Sequence, residues 1–268
     1  MIGFIGLGSQ GGPMAARIAK AGLPLHVWAR RSEALVPFVE LGARAVPAIA
    51  DLGPCEHVGI CVINDSDVRA VCAELLPAMR PGSRIAIHST VLPETVIALA
   101  AEAQTRGIAL IDAPVSGGAP GAEAGTLTVM CGSDEAAFTA ARPVFACFGK
   151  LIVRLGEVGA GQRAKIINNA LLAANMGVAH GAITAAAALG IDRAMLAALI
   201  AQSSGRSFGF EIAARLPSPS AFATGAPLLA KDVGLLAAIL PEHSGARLLG
   251  AAADDFLKSA NTAQEPQS

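Results

Sequence analysis

The first 156 residues alternate short, nearly uninterrupted apolar runs with longer stretches in which apolar positions recur every three or four residues. "IGFIGL" (2–7), "LHVWA" (25–29), "HVGICVI" (57–63), "RIAIHS" (84–89) and "IALIDA" (108–113) read as strands. Segments 11–22, 66–76 and 93–106 lie between them and carry helical spacing. Strands this apolar are buried on both faces, and the intervening helices supply the cover. The pattern therefore predicts a doubly wound, mostly parallel α/β sheet of the Rossmann-like kind. "TLTVMCG" (126–132) and "KLIVRL" (150–155) flank a helix starting near Asp134 and extend the same sheet.

Beyond Gly156 the pattern changes. From Gly161 to Leu189 there is no proline, and alanine and leucine dominate. This predicts a single helix over about 161–189, roughly 40 Å long and able to join two domains. Segments 192–202, 206–215, 227–239 and 243–259 are also helical, broken by glycine and by "PSPS" at 217–220. The chain thus divides into an α/β domain over 1–157 and an all-α domain over 158–268. Its last residues, "NTAQEPQS", are expected to fray.

A length of 268 residues suits two domains. Apolar residues make up 53% and charged residues 15%, so material for a core is plentiful. The net charge of −1 offers no electrostatic footprint for nucleic acid or anionic lipid, and one Trp with no Tyr makes a poor base-stacking surface. The mean hydropathy of +0.54 comes mostly from alanine. The most apolar stretch, 170–191, carries Asn175 and His180 and does not read as a membrane span. Five cysteines without C-x-x-C spacing read as buried free thiols, and the histidines at 26, 57, 88, 180 and 243 lack ligand spacing, so no metal is expected. Met1 runs straight into a strand pattern with no room for a signal peptide, which predicts a cytoplasmic protein.

Candidate chemistry begins at the first strand. Gly6, Gly8 and Gly11 fit G-x-G-x-x-G between a strand and a helix. There the turn Gly6, Leu7, Gly8, Ser9, Gln10 and Gly11 would cradle a pyrophosphate on the helix N-terminus. A glycine-rich turn without ligand is the alternative. At the end of the second strand, where an NAD site carries an acid for the ribose hydroxyls, stand Arg30, Arg31 and Ser32. Guanidinium groups grip a 2′-phosphate, which favours NADP(H) over NAD(H); solvated loop charges are the other reading. Ligands of open α/β sheets sit at the carboxyl ends of strands. Those ends carry "INDS" (63–66), "HSTV" (88–91) with Thr90, and "DAPVSGG" (112–118). The turn Ser116, Gly117, Gly118 offers hydroxyl and N–H donors to a carboxylate, or is a plain surface turn. Lys165 and Asn169 share one face of the long helix. A lysine there either snorkels to solvent or transfers protons, with desolvation and nearby positive charge lowering its pKa.

These motifs together resemble the β-hydroxyacid dehydrogenases, the group including 3-hydroxyisobutyrate dehydrogenase, tartronate semialdehyde reductase and glyoxylate/succinic semialdehyde reductases. "GFIGLGSQGGPMA", "DAPVSGG" with "GAEAGTLTVMCG", "GAGQRAKIINN" and "KDVGLLA" (231–237) match in order over nearly the whole chain. The resemblance implies Lys165 as acid/base and Asn169 as its or the substrate's orienter. It implies Ser116, Gly117 and Gly118 as carboxylate holders, Thr90 and Lys231 near the nicotinamide, and Ile63 and Asn64 along the dinucleotide. Arg30 stands where NADP-using members carry arginine. The implied activity is hydride transfer between NADP(H) and a small β-hydroxy acid or its semialdehyde. The implied assembly is a homodimer or homotetramer through the helical domain. Gln10 departs from the common methionine, Asn64 from a common proline, and His180 from a frequent glutamate. Rival readings are an imine reductase-like NADPH enzyme, decarboxylating oxidation of a sugar acid, and a non-catalytic NADP-binding scaffold.

Overall fold

A computed structural model describes residues 1–261; of the tail expected to fray, Asn261 closes the last helix, and 262–268 lie outside the described residues. The chain forms two compact units, Met1–Lys165 and the residues from Ile166 onward.

The first unit holds one sheet of nine strands: β1 (Ile2–Ile5), β2 (Leu25–Trp28), β3 (Arg44–Ala45), β4 (His57–Ile60), β5 (Arg84–Ile87), β6 (Ala109–Asp112), β7 (Val115–Ser116), β8 (Leu127–Gly132) and β9 (Gly149–Gly156). They lie in the order β3-β2-β1-β4-β5-β6-β8-β7, with β9 also paired to β8. From β3 to β6 all pairs are parallel, and one row of partners runs Trp28, Ile5, Ile60, Ile87, Asp112. The carboxyl ends of five strands therefore finish level, which makes a single binding edge. β8 turns antiparallel to β6, with Gly132 opposite Asp112, while β9 runs parallel to β8. The strands β3 and β7 escape the sequence pattern because two residues give no periodicity to read.

Helices α1 (Gly11–Lys20), α2 (Val36–Glu40), α3 (Asp65–Leu75), α4 (Pro93–Gln104), α5 (Gly118–Ala124) and α6 (Glu135–Phe145) connect the strands. Neighbouring strand residues face opposite layers, as a period of two requires. Phe4 joins Met14, Ile18, Val27, Phe145 and Phe148 on one side of the sheet. Ile5 joins Ile60, Val68, Leu75, Ile87 and Val96 on the other. Local chemistry sets the helix starts: the Asp134 side chain accepts the Ala137 N–H at 2.7 Å, and Pro93 opens α4. All five cysteines are free thiols; Cys55, Cys72 and Cys131 are buried, while Cys61 and Cys147 are half-buried.

Helix α7 (Ala160–Ala188) crosses the unit boundary and leads into α8 (Arg193–Ala201), α9 (Phe208–Arg215), α10 (Ala226–Ile239) and α11 (Ser244–Asn261). By length and composition alone α7 could cross a membrane. One face of it packs in succession against Leu236, then Leu229 and Phe256, then Phe210 and Ala213. His180 meets the Phe256 ring edge-on, a packing role.

Two buried histidines, His57 and His88, sit among Phe4, Phe145 and Phe148. His88 Nδ1 donates to the Ala113 carbonyl at 2.8 Å, whereas neither ring nitrogen of His57 has a hydrogen-bond partner. Burial holds both rings neutral: the pKa of His57 falls to about 3, with His88 and Arg84 adding to the effect, and that of His88 to about 4. The unfolded chain takes up these protons first, so both groups cost stability as pH falls from 6.5 toward those values. Each contributes a slope of up to about 1.4 kcal/mol per pH unit. Urea melts at pH 7.5 and pH 5 are expected to show the loss in the wild type and a smaller one in His57→Leu.

Candidate active site

The glycine turn is built by contacts within the chain itself. Gly6 has φ +93°, and a Cβ there would strike the Cys61 carbonyl. A Cβ on Gly11 would strike the Gly6 carbonyl, so α1 can lie against β1 only with glycine at that position. Gly8 differs, since a Cβ there would meet nothing within 4 Å. The chain does not need glycine at position 8, but an incoming pyrophosphate would. The residues thus fit a dinucleotide. Beside the turn opens a cavity of about 560 Å³ lined by Gly6, Leu7, Gly8, Arg30, Arg31 and Ile63, together with Trp28, Ala29, Cys61 and Val62. Arg31 pairs loosely with Glu33 at 3.9 Å, and both side chains stay exposed. The Cys61 thiol is pushed up to about 12 by burial and remains protonated in the cavity wall.

Other expected cofactor residues lie outside that lining. Gln10 occupies the cap of α1 without a side-chain capping bond, next to Ser9 and Gly11. Ser32 begins a short 3₁₀ turn. The Asn64 side chain caps α3, accepting from the Asp67 N–H at 2.9 Å and from Ser66 Oγ at 2.7 Å. Thr90 stands in the loop after β5, half-buried.

At the carboxyl end of β6, Asp112 is fully buried. Its Oδ1 accepts the Gly159 N–H and its Oδ2 the Gln162 N–H, both at 2.7 Å. These groups are the unsatisfied donors at the start of α7, where a carboxylate also complements the helix dipole. Burial pushes the Asp112 pKa up to about 6, against the lowering effect of those N–H groups and of Arg163. Gly132 and Gly161 pack against this carboxylate so closely that a Cβ on either would collide with it. Gln162 is also fully buried: Nε2 donates to the Ser89 carbonyl at 2.9 Å, and Oε1 accepts the Val91 N–H at 3.1 Å. Lys165 follows one turn later, 9% exposed.

After β7 the chain turns through Ser116, Gly117 and Gly118 into α5, with φ +129° and +63° at the two glycines. Both glycines are exposed and Ser116 is half-buried. In the helical unit, Asn169 is 9% exposed, and its Nδ2 donates to Asp232 Oδ2 at 2.5 Å while its Oδ1 accepts from Asn168 at 3.0 Å. Lys231 Nζ lies 3.2 Å from Asp232 Oδ1. The family resemblance implies Lys231 near the nicotinamide; in the fold it stands on α10 beside Asp232. Asp112, Gln162 and Asp232 were not among the residues expected from the sequence. A charged residue closing the apolar run "IALID", and an amide inside "GAGQRAKIINN", were the available signals.

Residues 1–156 match the family described as the NAD binding domain of 6-phosphogluconate dehydrogenase, and residues 159–268 match the family described as NAD-binding of NADP-dependent 3-hydroxyisobutyrate dehydrogenase. An NAD-dependent L-serine dehydrogenase of Pseudomonas aeruginosa is 37% identical over 247 residues, 87% of this chain and 83% of that one. A 3-hydroxyisobutyrate dehydrogenase of the same species is 34% identical over 94% of this chain and 89% of its own. Among solved structures, Mycobacterium tuberculosis 3-hydroxyisobutyrate dehydrogenase with L-serine has a TM-score of 0.85 at 29% identity, covering 96% and 92% of the two chains. A level carboxyl edge, a phosphate turn open at Gly8 and matches over both units lead to one conclusion: this chain belongs to the 3-hydroxyisobutyrate dehydrogenase family and is an NAD(P)-dependent oxidoreductase acting on CH–OH groups.

Proposed function

We propose that the protein interconverts a small β-hydroxy acid and its semialdehyde, using NADP(H) in preference to NAD(H), with Lys165 as the acid/base. Serine and 3-hydroxyisobutyrate, the compounds named for its relatives, both carry a primary alcohol β to a carboxylate. The observation carrying the reading of Lys165 is its burial one turn beyond a helix start clamped by Asp112. Lysine is among the residues least often buried, so this position stands out on the helix.

The turn from Gly6 to Gly11 would hold the pyrophosphate, with Arg30, Arg31 and Ser32 taking the 2′-phosphate. Ile63, Asn64, Thr90 and Lys231 are assigned to the rest of the cofactor. When bound, the nicotinamide supplies or accepts the hydride. In reduction Lys165 gives a proton to the carbonyl oxygen as it becomes a hydroxyl, and in oxidation it takes that proton back. Asn169 donates its remaining amide N–H toward the reacting oxygen, because Asp232 and Asn168 hold the rest of its amide. Ser116, Gly117 and Gly118 bind the carboxylate. Exposed Leu171 and Val178 on α7 and Met195 and Leu199 on α8 support self-association through the helical unit.

Two measurements test the reading. Lys165→Ala is expected to keep NADPH binding while turnover with a β-hydroxy acid falls by about 10²- to 10⁴-fold; unchanged turnover would remove the lysine from the mechanism. Arg30→Ala with Arg31→Ala is expected to weaken NADPH about 10- to 100-fold and to leave NADH within a fewfold of its original affinity. Equal losses for the two cofactors would reject a phosphate grip.

A further inference from the structure

We infer that Gln162 is a positioning residue for the reaction, locking the loop that carries Thr90 to the helical turn that carries Lys165. The inference rests on the reading of Lys165 given above. A side-chain amide sealed from water must place one acceptor and its donors, and one left unmatched would cost about 1–3 kcal/mol. Gln162 places them on the two main-chain atoms that flank Thr90, the Ser89 carbonyl and the Val91 N–H. The partners fix its orientation. A flipped amide would set NH₂ against an N–H and oxygen against a carbonyl.

The same residue binds in two further directions. Its own N–H goes to Asp112, tying it to the end of β6. Ser89, whose carbonyl it holds, accepts the Val62 N–H on Oγ at 2.8 Å, and Val62 lines the dinucleotide cavity. A continuous set of hydrogen bonds therefore runs from the cavity wall through Ser89 and Gln162 to the first turns of α7. Lys165 lies three residues beyond Gln162, on the same side of the helix. Hydride and proton reach one carbonyl group from two sides, and misplacing either by about 1 Å can cost on the order of 10²-fold in rate. The bridge sets the distance between those two sides.

The test is a pair of variants read by kinetics and cofactor binding, alongside Lys165→Ala and the double variant. Gln162→Leu keeps the bulk and loses both bonds. It is expected to lower kcat about 10- to 100-fold, with NADPH affinity within about threefold of wild type and little further loss in the Lys165→Ala background. Gln162→Glu adds a readout that a purely structural role would not give. Ionised, the carboxylate faces the Ser89 carbonyl with no proton to donate; protonated, it reproduces the amide pattern. Its activity relative to wild type is expected to climb as pH falls, with Asp112, Arg163 and Lys165, the neighbouring charged groups, common to both proteins. If Gln162→Leu does not fold, the Gln162→Glu profile decides alone. A kcat within threefold of wild type, a loss confined to NADPH affinity, full additivity with Lys165→Ala, or a flat Gln162→Glu ratio would each overturn the inference. Undiminished turnover in Lys165→Ala alone would instead mark failure of the underlying reading.

Discussion

The Asp112 carboxylate accepts the Gly159 and Gln162 N–H groups from a position closed to water, and the working end of the first unit is arranged around it. A buried carboxylate is expensive to hold unless its oxygens are met by donors, and a helix start is expensive to bury unless its N–H groups are accepted. Each cost is offset by the other group. The pairing also explains why Gly132 and Gly161 stand where they do, since a side chain at either would displace the carboxylate. Through this contact α7 acquires a fixed starting point on the sheet, and the position of Lys165 follows from helical geometry.

The carboxyl edge of the sheet carries different groups at its two ends. One end of the row, beyond Ile5 and Trp28, holds the glycine turn and the arginines. The other end, beyond Ile87 and Asp112, holds Thr90, the Ser116 turn and the start of α7. Gly6 and Gly11 serve the chain, since a Cβ on either would strike a main-chain carbonyl, whereas Gly8 is open. That contrast leaves room beside the turn for the pyrophosphate proposed above.

Most of the fold was legible because it is written in periodicity: five apolar strands and the proline-free run to Leu189 each show their period within one segment. β3 and β7 were not, being too short to carry a period. Legibility in the site followed the same physics. Glycines, arginines and a lysine on an apolar helix are anomalies of local sequence and stand out within it. Asp112, Gln162 and Asp232 matter through partners 47 to 73 positions away, and local sequence says nothing about such distances. Asn64 caps the first turn of α3, a role that its place among helix-starting residues makes legible locally.

The most direct test of the central claim is amide hydrogen exchange at Gly159 and Gln162 in Asp112→Asn, read together with kcat and NADPH affinity. The amide keeps the shape of the carboxylate but can accept only one of the two N–H groups. Faster exchange at these amides and a kcat lowered by about tenfold or more, with NADPH affinity within about threefold, is the predicted result. A folded variant with unchanged exchange and unchanged kcat would contradict the account.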